Sequence, residues 1–244
     1  VELLHFKNKI KNQMQFNNLI HGRLIKRYKR FLADVKLDDG TVVMAHCTNP
    51  GTMKICLEGD AEVYLSPAND PKRKTKFTWE MIKINDNWIG VNTGVPNKLA
   101  FDALVNNTIF SLRGYTHVRR EVKFGNSRID LFAENEAEKC FIEVKNVTMK
   151  VGTYARFPDA KTERGLKHLN ELMEIRRQGM RAVMLYVIQR VDVEIFGPAW
   201  DIDPAYSEKL LEAFESGVEI IPIMAYVSPE KIALGRVLPF DLRR

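Results

Sequence analysis

The sequence predicts two domains in tandem, an antiparallel β-barrel followed by an α/β domain. Three observations carry this. Between His21 and Asn92 the chain is a series of six short β-like runs separated by turn residues. From Asn97 to Val227 helical and strand-like segments alternate, the order of an α/β sheet. Between the two halves lies Asn92-Thr93-Gly94-Val95-Pro96, a cluster of helix and strand breakers that reads as a junction and divides the chain into residues 14–95 and 96–244.

The six runs are residues 21–28, 31–36, 42–47, 61–66, 75–85 and 88–92. Asp38-Asp39-Gly40, Glu58-Gly59-Asp60 and Asn85-Asp86-Asn87 supply the side chains that tight turns favour. Their number and length fit an OB-like barrel, a shape that often binds oligonucleotides. Two segments interleave cations with aromatics: Lys26-Arg27-Tyr28-Lys29-Arg30-Phe31 and Lys72-Arg73-Lys74-Thr75-Lys76-Phe77-Thr78-Trp79. Cations meet phosphates while rings stack on bases, so Arg27, Tyr28, Arg30, Lys72, Arg73, Lys74 and Lys76 are the candidate nucleic-acid contacts of this half. The competing reading puts half of those rings inside the barrel, because side chains alternate along a strand.

In the second half, Asn97 reads as the cap of a helix running to about Leu112, with Leu99, Ala100, Ala103 and Leu104 on its buried face. Residues 116–124 read as a strand and Gly125-Asn126 as a tight turn into a hairpin over residues 127–148. Glu121, on the first of these strands, is either an accessory carboxylate or an exposed strand residue. After a loop at 151–158, Asp159 caps a helix to about Gln178, whose apolar face is Leu166, Leu169, Leu172, Met173 and Arg176. Arg164, Lys167, His168 and Glu171 fall at helical spacing on a separate polar face, suited to phosphates or simply to solvent. Residues 182–188 are an unbroken apolar run, a buried strand. Asp203 as cap, Pro204 in the first turn and Gly217 past the end bracket a further helix, and residues 218–227 give the last strand.

The hairpin at 127–148 is where chemistry concentrates. Glu143 and Lys145 lie two residues apart on one strand and so share a face. A turn symmetric about Glu136 and Ala137 places Asp130 directly opposite Glu143. Two carboxylates about 5 Å apart repel by about 3 kcal/mol at an effective dielectric near 20. A hard divalent cation, magnesium or manganese, is the economical offset.

Arg128-Ile129-Asp130-Leu131, Phe141-Ile142-Glu143-Val144-Lys145-Asn146-Val147-Thr148 and the stretch from Phe157-Pro158-Asp159-Ala160-Lys161 to Leu169 closely resemble the sugar fermentation stimulation protein A family of bacteria. The likeness spans from about Ile20 to the C-terminus. It implies an N-terminal OB-like domain, a C-terminal PD-(D/E)XK restriction-endonuclease-like α/β domain, and DNA binding. It also implies a site in which Asp130 and Glu143, helped by the Val144 carbonyl, hold magnesium or manganese while Lys145 orients water. Arg164, Lys167 and His168 would hold phosphates beside it. The family's usual Pro-Asn-Thr-Gly stands here as Thr48-Asn49-Pro50-Gly51.

With 244 residues and 45% hydrophobic content, the chain can bury two cores. No apolar run is long enough to span a membrane, and the first residues lack the apolar stretch of a secretory signal. Met14 reads as the natural start. Three cysteines at non-metal spacing fit a reducing cytoplasm. A net charge of +6 suits a polyanionic partner, single- or double-stranded DNA, with RNA as an open alternative. The leading expectation is a divalent-metal-dependent nuclease. The alternative is a non-catalytic, non-specific DNA-binding regulator of sugar (maltose) metabolism genes.

Overall fold

A computed structural model describes residues 13–70 and 72–244, so the reading of Met14 as the natural start turns on residues that lie outside it. After β1 (Gln13–Gln15) come β2 (Ile20–Tyr28), β3 (Leu32–Leu37), β4 (Val42–His46), β5 (Glu62–Pro67), β6 (Phe77–Ile84) and β7 (Asn87–Gly90). They lie in the order β4-β3-β2-β5-β6-β7, and a parallel contact of β4 with β6 closes the first five into a barrel. Alternation dictates the inside: Ala33 and Val35 of β3 are fully buried while Asp34 and Lys36 point out. Strand β6 is buried almost throughout because its two faces serve two cores. Trp79 and Ile82 fill the barrel, and Met81 packs into the core of the following domain.

That packing corrects one expectation. Trp79 is fully buried with its indole N–H donating to the Met81 carbonyl (3.0 Å), and Phe77 packs on the same core, so neither ring of the 72–79 segment is a stacking surface. Lys72, Lys74 and Lys76 remain exposed, and Arg73 is held by the Thr75 and Thr78 hydroxyls at 3.1 Å each.

The second domain runs α1 (Gly94–Val105), β8 (His117–Phe124), β9 (Ser127–Glu134), β10 (Lys139–Val147), β11 (Met149–Val151), β12 (Tyr154–Phe157), α2 (Glu163–Arg177), β13 (Arg181–Ile188), β14 (Ile195–Pro198), α3 (Pro204–Glu215), β15 (Glu219–Val227) and β16 (Lys231–Val237). Seven strands form one sheet in the order β1-β16-β15-β13-β10-β9-β8, with β10, β13 and β15 parallel. Helix α1 covers the face carrying Val183, Leu185 and Val187. Helices α2 and α3 cover the face carrying Met184, Tyr186 and Ile188. Strand β13 is buried on both sides, which is why its sequence is apolar without alternation. Among the described residues, no helix is long and apolar enough to cross a membrane.

Several boundaries move for physical reasons. Helix α1 begins at Gly94, three residues before Asn97, because the Asn92 side chain accepts from the Gly94 amide (2.9 Å) and starts the turn earlier. It ends at Val105 rather than Leu112. Helix α2 is capped by Thr162, which accepts from the Gly165 amide (3.0 Å), and not by Asp159. The expected loop at 151–158 is largely strand, pairing β12 with β11 and β14 in a small sheet. Residues 13–15 pair with β16 and so belong to the second domain's sheet, not to the barrel.

Asp159 instead joins the domains. Its carboxylate accepts from the Met53 amide (3.1 Å) and its carbonyl from the Thr52 hydroxyl (3.1 Å). A Cβ on Gly51 would run into that carboxylate, so a larger residue there must push the Asp159 side chain off the Met53 amide. Gly51→Ala is expected to cost about 1–3 kcal/mol by forcing this contact apart. The check is the urea midpoint together with protease cutting at the 49–53 loop; an unchanged midpoint and cutting pattern would mean the loop absorbs the methyl freely.

Candidate active site

The site is built at the fork of β9 and β10. These strands pair from Lys139↔Glu134 to Ile142↔Leu131, the register that the symmetric turn predicts. The ladder ends one pair short of Asp130 and Glu143. There the Asp130 side chain takes over, its Oδ2 accepting the Val144 amide at 2.9 Å, so a carboxylate stands where a backbone carbonyl would. On the other side β8 is also unpaired opposite Asp130, because Glu121 adopts a left-handed backbone (φ 53). Glu121 itself is exposed, the bland one of its two readings.

Asp130 Oδ1 accepts from the Asn97 side chain at 3.0 Å. Burial, followed by the charge of Glu143, pushes the Asp130 carboxyl up to about 6 despite these two hydrogen bonds. Glu143 is nearly inaccessible at 1% exposure. Burial alone would raise its carboxyl, but the hydrogen bond from His168 and the ammonium of Lys145 outweigh that and hold it below the usual range. Lys145 Nζ donates to Glu143 Oε1 at 2.7 Å, and His168 Nδ1 contacts the same oxygen. Glu143 Oε2 is buried with no hydrogen-bond partner. Among the described residues no group of three or more His, Cys, Asp or Glu side chains converges, so a metal here would rest on two carboxylates and backbone.

These residues open into a cleft of about 410 Å³ between the domains. Arg30, Asn49, Pro50 and Gly51 of the barrel form one wall, and Asp130, Glu143, Lys145, Asn97 and Arg164 of the α/β domain the other. Arg164 is exposed at the rim and its Nε lies 3.4 Å from His168 Nε2.

The remaining expected contacts divide. His168 is 3% exposed and turned inward on Glu143 and Lys145, so it does not face phosphates. It belongs to the buried stripe Gly165, His168, Leu172, Ile175, spacing that a stricter helical reading would have separated from Arg164 and Lys167. Lys167 is exposed outside the cleft lining, its ammonium on the Asn126 carbonyl at 2.9 Å. Arg27 is committed to four backbone carbonyls, those of Arg30, Asn49, Gly51 and Thr52, and so staples the cleft wall rather than meeting a ligand. Tyr28 is half-buried with its hydroxyl on Asp34 (2.9 Å). Asn97, read from sequence as a cap, was missed as a site residue; the available signal was an amide on the stripe of Ala100 and Leu104.

The model of the SfsA N-terminal OB domain matches residues 25–91, and that of the sugar fermentation stimulation protein RE domain matches residues 94–231. The chain belongs to the SfsA family. Its second domain is a mixed α/β domain resembling restriction endonucleases. A sugar fermentation stimulation protein homolog of Geobacter sulfurreducens is 50% identical over 222 residues, 91% of this chain and 95% of the relative. One of Paramagnetospirillum magneticum is 50% identical over 226 residues, 92% of this chain and 96% of the relative. The structure of Pyrococcus furiosus SfsA in complex with Ca2+ is 25% identical, covers 93% of this chain and 98% of that one, and superposes with a TM-score of 0.87. The SfsA likeness therefore extends over both domains and the cleft between them.

Proposed function

We propose that the chain is a divalent-metal-dependent nuclease that hydrolyses phosphodiester bonds in the interdomain cleft. The observation that carries this reading is a pair of buried carboxylates, one with its acid pushed up to about 6 and the other with an oxygen left unpartnered. Buried negative groups in that state are suited to a cation. Asp130, Glu143 and the Val144 carbonyl would hold magnesium or manganese, and the Ca2+ bound by the Pyrococcus furiosus relative is a hard cation of the same class. Such an ion, when bound, stabilises charge on the phosphate and makes water a better nucleophile.

The chain's own residues do the rest. Asn97 and the Val144 amide fix both oxygens of Asp130, and His168 fixes Glu143. Lys145, anchored on Glu143, presents an ammonium to the attacking water and to the scissile phosphate. Arg30 and Arg164, on opposite walls, flank the phosphodiester backbone. DNA is the expected polymer, with RNA an alternative substrate, and the cytoplasm the expected compartment.

The non-catalytic DNA-binding regulator stays as a second reading because the side-chain donor set is limited to two carboxylates. Labelled single- and double-stranded DNA and RNA, incubated with manganese and then with a chelator, separate the two. Cleavage that the chelator stops supports the nuclease; tight binding without cleavage under any divalent cation supports the regulator.

A further inference from the structure

On the barrel's outer surface, β4 turns Val42, Met44 and His46 outward, and they pair with Lys36, Asp34 and Leu32 of β3. Val42 is 58% and Met44 37% exposed, which is unusual for a pair of apolar side chains side by side on one strand. At the end of this face Phe31, 42% exposed, stacks on the His46 ring with centroids 6.5 Å apart and planes 30° apart.

The loop that presents Phe31 is strained. Lys29 and Arg30 both hold left-handed backbone (φ 48 and 64), a conformation that ordinarily calls for glycine or asparagine. Two long cations are kept there at a conformational cost, and strain of this sort points to a use for the side chains. Arg30 already lines the cleft, as do Asn49, Pro50 and Gly51, which follow His46 by three to five residues. The exposed face and the cleft wall are therefore consecutive stretches of the same two strand ends.

We infer that this face is a stacking track for the unpaired bases of a single-stranded nucleic acid, leading the strand past Phe31 and His46 into the cleft. The inference rests on the nuclease reading and adds the strand state of the substrate. A duplex keeps its base faces stacked on each other, so exposed rings and a methionine gain nothing from it beyond what cations supply. An unpaired base offers a free face to each ring, while Lys36 across from Val42, and Lys29 and Arg30 next to Phe31 in the chain, are exposed to meet its phosphates.

The test is equilibrium binding to the full-length protein in chelator, followed by fluorescence anisotropy. The probes are labelled oligo(dT), oligo(rU) and a hairpin duplex, and the variant is F31A/H46A with its thermal midpoint measured alongside. Single-strand affinity is expected to fall at least about tenfold while duplex affinity changes less than about twofold. The slope of log affinity against log salt stays as in wild type, because no cation is removed. The dT and rU arms show which backbone is preferred. Equal losses on single strand and duplex, or no loss on either, overturn the stacking track but leave the nuclease reading standing. Wild-type protein that binds none of the probes overturns both.

Discussion

Replacing Lys145 with alanine is expected to abolish cleavage, lowering the single-turnover rate by roughly a thousandfold, while leaving nucleic-acid affinity within about threefold of wild type. The asymmetry follows from where the charge sits. Its ammonium is 2.7 Å from Glu143 Oε1 and 3.2 Å from His168, where the proposed hydrolysis would develop charge. In the proposed complex affinity would draw on cations spread over both walls of the cleft and the barrel, of which Lys145 is one. The fold tolerates the loss, because Glu143 keeps its contact with His168. Measured rates with manganese and anisotropy without it check both halves. Chelator-resistant cleavage of equal rate in variant and wild type would assign the activity elsewhere.

Asp130→Asn is expected to do something opposite in sign to the two properties it touches: stabilise the metal-free protein and remove its response to divalent cations. The Asp130 acid is raised from 3.8 to about 6 in the fold, so its neutral form is the one the fold favours. That contribution is present below about pH 4 and is lost as the pH rises through 6, a difference of up to about 3 kcal/mol. Asparagine stays neutral throughout. Its oxygen can accept from the Val144 amide and its NH2 can donate to a flipped Asn97, so no hydrogen bond is forfeited. In chelator at pH 7–8 the variant should melt higher than wild type, and the gap should close near pH 4. Adding calcium or manganese should raise the midpoint of wild type alone. A variant that melts lower at every pH would show that the carboxylate is not held against its preference.

Why Asp130, Glu143 and Lys145 were legible and their supporting residues were not comes down to range. Period-two alternation and a short turn place Glu143, Lys145 and Asp130 with respect to one another within a single hairpin, where local geometry decides. The same holds for α3, whose Asp203 cap accepts from the Tyr206 amide at 3.1 Å. Asn97 reaches Asp130 across 33 positions and His168 reaches Glu143 across 25, and both contacts exist only once helices have docked on opposite faces of the sheet. Alternating cations and aromatics could not say which face was wet: Trp79 went into the barrel, whereas Phe31 stayed out because it sits in a loop beyond the end of its strand. Strand β1 was illegible for the same reason, since its partner is β16, more than two hundred residues along.

That pairing has a mechanical meaning. The chain makes a strand of the α/β sheet, leaves to build the barrel, and re-enters at α1. A domain hung on one linker can swivel in any direction; one suspended at two points, here residues 16–19 and 91–93, can only rock about the line that joins them. The barrel wall with Arg30 and Gly51 is held against even that motion, by Met81 in the neighbouring core and by Asp159 on the Met53 amide. A ligand of the cleft therefore meets two walls whose spacing is set by the fold itself.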